Sequence, residues 1–136
     1  MKKPRVLVVD DEPKIVELIR VNIGQEYDVD VAYDGEEAIE KAINPSGPRP
    51  DLIILDVMLP KVNGFDVARK VKENRNGSTI LIAMFTGRDK SDMCMVGSVG
   101  CDADYFLSKP IDLNELSELL AKIFPSSAAG GSASVR

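Results

Sequence analysis

Five side chains with ligating or reactive chemistry stand directly after apolar runs in this 136-residue sequence. "RVLVV" runs into Asp10 and Asp11, "LIIL" into Asp56, "AMF" into Thr86 and "YFLS" into Lys109. Carboxylates with coordination positions to spare suit a hard cation such as Mg²⁺ or Mn²⁺, which keeps waters and shares its sphere with phosphate oxygens. A hydroxyl donor, an ammonium donor and such a metal together satisfy the three oxygens of a phosphoryl group. A carboxylate can also attack phosphorus to give an aspartyl phosphate, and Asp56, nearest the centre of the array, is the candidate nucleophile.

Charge balance supports a cation. In doubly wound sheets ligands bind outside the carboxyl ends of the strands, and a 2-1-3-4-5 order makes the first and third strands neighbours, so Asp10, Asp11 and Asp56 should converge. At about 5 Å and an effective dielectric of about 20, each like-charged pair repels by roughly 3 kcal/mol. That is large against net stabilities of roughly 5 to 15 kcal/mol. Lys109 returns one positive charge, and the deficit of two that remains matches a divalent metal. Singly, an aspartate opening a loop caps a helix, and a lone threonine there is a turn residue; three acids at adjacent strand ends plus a lysine point to a site. Gly87 leaves room for a ligand behind Thr86. Glu12 is peripheral: it either reaches the metal through water or begins the first helix.

The elements that must position these residues alternate in type. Short β-branched runs ("RVLVV", "YDVDVAY", "DLIIL", "TILIAMF", "DYFLS") are each followed by an amphipathic stretch ("KIVELIRVNIG", "GEEAIEKAI", "GFDVARKVKEN", "KSDMCMVGSV", "LNELSELLAKIF"). Five such repeats predict an α/β fold, a doubly wound five-stranded parallel sheet with helices on both faces. The runs at 6–9, 52–55 and 80–83 read as central strands buried on both sides, and the alternating "YDVDVAY" as an edge strand. The first helix carries Ile15, Leu18, Ile19 and Ile23 on one stripe and stops at Gly24; the last carries Leu116, Leu119, Leu120 and Ile123 and stops before Pro125. Asp34 with Glu37, and Asp112 with Glu115, have capping-box spacing. The fourth predicted helix is weakened by Gly97 and Gly100, each costing roughly 1 kcal/mol against alanine. "NPSGPRP" at 44–50 is a loop, and the Ser/Gly/Ala-rich 126–136 reads as a flexible tail or linker after a single domain at 1–125.

Composition excludes other classes. With 17 basic against 22 acidic residues and a net charge of −5, the chain lacks the basic footprint for direct nucleic-acid binding or an anionic membrane surface. The N-terminal apolar run is too short for a signal peptide and no window reaches a membrane span, so a cytoplasmic protein is expected. Cys94 and Cys101 are the only cysteines and histidine is absent, so no four-ligand Cys/His zinc site can form within the chain. They read as free thiols.

"VLVVDDE", "LIILDVMLPKVNGFD", "AMFTG" and "DYFLSKP" fall in an order that resembles the response-regulator receiver domain (CheY-like) of two-component signalling, over residues 4–125. The resemblance implies a flavodoxin-like (βα)5 fold with strand order 2-1-3-4-5, an order for which a chemotaxis receiver is a standing example and which periodicity does not give. It implies that Asp56 accepts a phosphoryl group from a sensor histidine kinase or histidine phosphotransfer protein. Asp10, Asp11, Asp56 and the Met58 backbone carbonyl would hold Mg²⁺, and Thr86 and Lys109 would contact the phosphate. A cis peptide before Pro110 is also implied. Pro60 and Gly64 would shape the loop into the third helix.

Family switching pairs the Thr86 position with an aromatic, here Phe106, which lacks a tyrosine's hydroxyl but keeps the packing change. Phosphorylation adds charge that draws Thr86 and Lys109 inward and must bias a bistable element. The fourth predicted helix and the fifth strand are the expected moving face, with Met93, Met95 and Val96 as an adaptable apolar contact. Met58 and Arg88 fall where the family tunes acyl-phosphate lifetime. The resemblance admits a homodimer through the fourth and fifth predicted helices and the fifth strand, and leaves the output partner or effector unnamed.

Three rival assignments share parts of this residue set. A haloacid-dehalogenase-type phosphohydrolase shares the Asp, Thr, Lys and Mg²⁺, but usually carries a D-x-D near its N-terminus, which "DVML" lacks. A flavodoxin-like FMN carrier would follow its first strand with a phosphate loop, where "DDEPK" repels phosphate. A degenerate receiver acting as a docking module has no need of the full set of site residues. The expectation is therefore a phosphoacceptor, not an enzyme beyond self-phosphorylation and slow autodephosphorylation.

Overall fold

The computed structural model describes residues 3–44, 46–86 and 103–125. Five strands, β1 (Arg5–Val9), β2 (Asp28–Ala32), β3 (Leu52–Asp56), β4 (Leu81–Thr86) and β5 (Tyr105–Ser108), form one all-parallel sheet of order β2-β1-β3-β4-β5. The described helices are α1 (Pro13–Ile23), α2 (Gly35–Ile43), α3 (Gly64–Glu73) and α4 (Leu113–Ile123), the last being the fifth predicted helix. The fourth predicted helix, with Arg88, Met93, Cys94, Met95, Val96, Gly97, Gly100 and Cys101, lies outside the described residues, as do Gly87 and the 126–136 tail.

Alternation along the strands sorts the core into two layers. Val6, Val8, Leu52, Ile54, Ala83, Phe85 and Leu107 pack with α1 and α4 on one face. Leu7, Val9, Ile53, Leu55, Ile82 and Met84 pack with α2 and α3 on the other. All five residues of β3 are buried, as a strand covered on both sides requires. On the edge strand β2 only Ala32 is fully buried.

Local signals set the helix ends. Asp34 accepts from the Glu37 N–H (2.8 Å), while the Glu37 carboxylate reaches past the cap to the Tyr33 N–H (2.9 Å). Asp112 accepts from the Asn114 and Glu115 N–H groups. Asn63 caps α3 through the Asp66 N–H (2.9 Å). The apolar stripe of α1 differs from expectation: Val16, Ile19 and Ile23 are buried, whereas Leu18 is 42% exposed. Both sets share helical spacing, and docking on the sheet selects the one turned inward.

Candidate functional site

The topology switches direction between β1 and β3: the chain first adds β2 on one side of β1, then β3 on the other. The register sets Val9 beside Leu55, so the residues that follow, Asp10 and Asp56, face each other across the crevice where doubly wound sheets bind ligands. β4 pairs Phe85 with Asp56, and β5 pairs Ser108 with Thr86, which brings Thr86 and Lys109 to the same rim. The Lys109 N–H donates to the Thr86 carbonyl (2.9 Å) and joins those two strand ends.

One carboxylate oxygen each from Asp10, Asp11 and Asp56 lies within 4.8 Å of the others. Asp10 and Asp56 are buried and Asp11 is exposed. Asp10 Oδ1 accepts the Glu12 N–H (2.9 Å), whereas its buried Oδ2 has no hydrogen-bond partner among the described residues. Burial pushes the Asp10 carboxyl up to about 6; the Glu12 N–H and the Lys109 charge pull it down, and the charges of Asp56 and Asp11 push it further up. A buried acceptor left unpaired costs about 1–3 kcal/mol. These three oxygens could hold a metal ion, and an all-oxygen donor set with one orphaned acceptor fits a hard divalent cation.

Lys109 Nζ pairs with Asp56 Oδ1 at 3.0 Å and lies 3.9 Å from Asp10 Oδ2. Burial lowers the pKa of this ammonium, but the hydrogen bond and attraction to Asp56, and then Asp10 and Glu12, prevail and raise it above the ordinary lysine value. It therefore stays charged at neutral pH. Asp56 Oδ1 also accepts the Met58 N–H (3.1 Å), a role that sequence reasoning missed in naming only the Met58 carbonyl. Met58 is itself 76% exposed.

The loop from β3 to α3 closes over the Asp56 backbone. Gly64 N–H donates to the Val57 carbonyl (2.8 Å), and a Cβ on Gly64 would strike the Asp56 carbonyl oxygen and stand 2.8 Å from Val57 Cα. Only glycine fits so close to the strand end. Lys61 in this loop adopts φ 69°, the left-handed region that disfavours a side chain. The peptide bond between Lys109 and Pro110 is cis.

Glu12 is exposed and serves as the N-cap of α1 through its backbone, its side chain making no cap hydrogen bond. Phe106 pairs with Met84 and is half-buried against the α2/α3 layer. Thr86, two residues beyond Met84, has the same strand parity, so the two positions of the expected switch lie on one side of the sheet. Asp104 was not singled out from the sequence, yet its carboxylate accepts both the Ile82 N–H and Lys72 Nζ (each 2.9 Å), tying the start of β5 to β4 and α3.

The family described as response regulator receiver domain matches residues 6–121. The response regulator ArlR of Staphylococcus saprophyticus is 36% identical over 114 residues, covering 82% of this chain and 48% of its own length. The transcriptional regulatory protein TrcR of Mycobacterium tuberculosis is 42% identical over 113 residues, covering 82% and 42%. The chain thus spans about half the length of the curated relatives it matches. Among solved structures, the chemotaxis response regulator CheY4 of Vibrio cholerae superposes with a TM-score of 0.80 at 28% identity, covering 90% of this chain and 99% of that one. The phosphohydrolase alternative is not favoured. No helix among the described residues is long and apolar enough to cross a membrane.

Proposed function

This chain belongs to the response regulator receiver domain family, and from that premise we propose that Asp56 takes a phosphoryl group from the phosphohistidine of a sensor histidine kinase or histidine phosphotransfer protein. The observation that carries this reading is the meeting of Asp10, Asp11 and Asp56 with Lys109 at the switch point of the sheet. Asp56 Oδ1 is engaged by Lys109 and the Met58 N–H, so Oδ2 is the oxygen that attacks. The bond from phosphorus to the donor's imidazole nitrogen breaks as the bond to Oδ2 forms.

Asp10, Asp11, Asp56 and the Met58 carbonyl would hold Mg²⁺, which when bound supplies the positive charge that offsets the arriving phosphoryl oxygens. Lys109, kept charged by its acidic neighbours, donates to one of those oxygens, and the Thr86 hydroxyl to another. Thr86 moving toward the phosphoryl group leaves space on the side of the sheet that Phe106 shares, and the ring follows. The receiver reading assigns residues 1–125 to one domain and 126–136 to a tail or linker that follows it. An output partner or effector domain reads the change, in the cytoplasm. The chain is a stoichiometric acceptor that loses the group slowly, rather than a turnover enzyme.

The test is incubation with acetyl phosphate and Mg²⁺, scored by intact mass. One phosphoryl group on the wild type and none on Asp56→Asn is the expected result. Labelling that persists in the variant, or steady turnover of a phosphomonoester, overturns the proposal.

A further inference from the structure

A groove of about 340 Å³ lies between the last turn of α1, the residues leading into β2, and α4. That volume is at the lower end of the range for small-molecule sites. Ile23, Tyr27 and Leu120 are buried and make its floor, while Asn22, Glu26, Ser117 and Glu118 are exposed and make its rim. Tyr27 immediately precedes Asp28, which pairs with Arg5 at the start of β1. The groove is therefore at the end of the sheet opposite Asp10 and Asp56.

Tyr27 is only 3% exposed, with its ring against Phe124 at 5.8 Å between centroids. Its hydroxyl nevertheless makes no hydrogen bond to a described residue, although buried polar groups ordinarily find a partner. Burial, and then the charge of Glu26, raise its pKa above the ordinary tyrosine value. The group is thus a neutral phenol at physiological pH, free to accept a hydrogen bond within the groove it lines.

The rim is acidic without compensation. Glu17, also on α1, is held by Arg20 at 2.6 Å, whereas neither Glu26 nor Glu118 has an ion-pair partner among the described residues. Lys122, four residues beyond Glu118, does not pair with it, and no basic residue lines the groove. Two carboxylates and a phenol oxygen over an apolar floor differ from the oxygen cluster of the phosphoryl site. A bare metal ion prefers an all-oxygen sphere, whereas a cation with a hydrocarbon body uses both halves of this surface.

We infer that this groove binds a small primary amine, with its ammonium held by Glu26, Glu118 and the Tyr27 hydroxyl and its apolar body on Ile23, Tyr27 and Leu120. An ammonium carries three N–H donors and no acceptor, which matches a set of groups that all accept.

The test is amide NMR of the full chain titrated with 2-phenylethylamine, with 2-phenylethanol and phenylacetate as the neutral and anionic counterparts of the same body. The amine should give saturable shifts at residues 22–27 and 117–121, at least about tenfold tighter than the alcohol, and phenylacetate none. Glu26→Gln/Glu118→Gln should reduce the amine to the affinity of the alcohol. Tyr27→Phe, which keeps the ring and loses only the unpartnered hydroxyl, should weaken the amine several-fold. A dispersed spectrum checks that each variant is folded. An alcohol that binds as tightly as the amine overturns the inference, as does unchanged affinity in either folded variant. So do shifts confined to Asp10, Asp11 and Asp56, or no saturable shift up to about 10 mM amine.

Discussion

Replacing Asp10 by asparagine should stabilise the metal-free protein, although the side chain is buried at the centre of the site. Asparagine keeps the oxygen that accepts the Glu12 N–H and removes the charge from the orphaned position. The Asp10 carboxyl titrates at about 6 in the folded chain against 3.8 unfolded. Between those values the native state holds a proton that the unfolded state has lost. Stability therefore falls as pH rises through this window, and the loss is complete above pH 6. The full penalty is about 3 kcal/mol at pH 7 and roughly half that at pH 5, at 1.36 kcal/mol per pKa unit. Urea unfolding in EDTA should show Asp10→Asn more stable than wild type by up to about 3 kcal/mol at pH 7, with the gap roughly halved at pH 5. Saturating Mg²⁺ should reverse the trend. At a thousand times its dissociation constant a native-state ligand adds about 4.1 kcal/mol, enough to exceed that penalty, and only the wild type retains the full carboxylate set. A variant less stable than wild type in EDTA at pH 7, or a gap that ignores pH, refutes the electrostatic account of the site.

Other expectations test the framework around the site. Gly64→Ala drives a methyl group into the Asp56 carbonyl and Val57 Cα; it should cost about 1–3 kcal/mol in urea unfolding and slow labelling of Asp56 by acetyl phosphate. Lys61→Gly relieves a left-handed side chain and should raise stability by up to about 1 kcal/mol, read as a higher denaturation midpoint with unchanged slope. Asp104→Ala removes the acceptor for the Ile82 N–H and Lys72, and should cost about 1.5–3 kcal/mol while exposing the Ile82 amide to hydrogen exchange. Lys109→Met leaves Asp56 without its ammonium partner, and should abolish or greatly slow labelling even in excess Mg²⁺.

Features set by neighbouring residues could be read from the chain. "LIIL" and "RVLVV" are apolar at every position, so a strand covered on both faces was legible, and Asp34 and Asp112 marked helix starts because a cap bonds only two or three residues ahead. The acids closing those strands could be assigned to one rim, since parallel strands end on the same side. Leu18 could not be separated from Val16, because both fit a helical stripe and the docking angle of α1 chooses between them. The left-handed Lys61 was equally hidden: it is the centre of a three-residue turn closed by the Val62 N–H donating to the Pro60 carbonyl (2.7 Å), which no residue type in "LPKVNG" announces.

The sequence by itself determined the inventory and the order: which acids, hydroxyl and amine end which strands, and that their charges fall two short of balance. Tertiary structure decided how they differ. Asp10 and Asp11 are adjacent and identical in type, yet one is buried with an unpaired oxygen and the other exposed, because the crevice between β1 and β3 admits only the first. Lys41 is one more basic residue of an amphipathic helix until folding sets its ammonium on the Val31 carbonyl at the open edge of β2. Burial and pairing depend on what a distant segment brings alongside, which spacing along one chain does not contain.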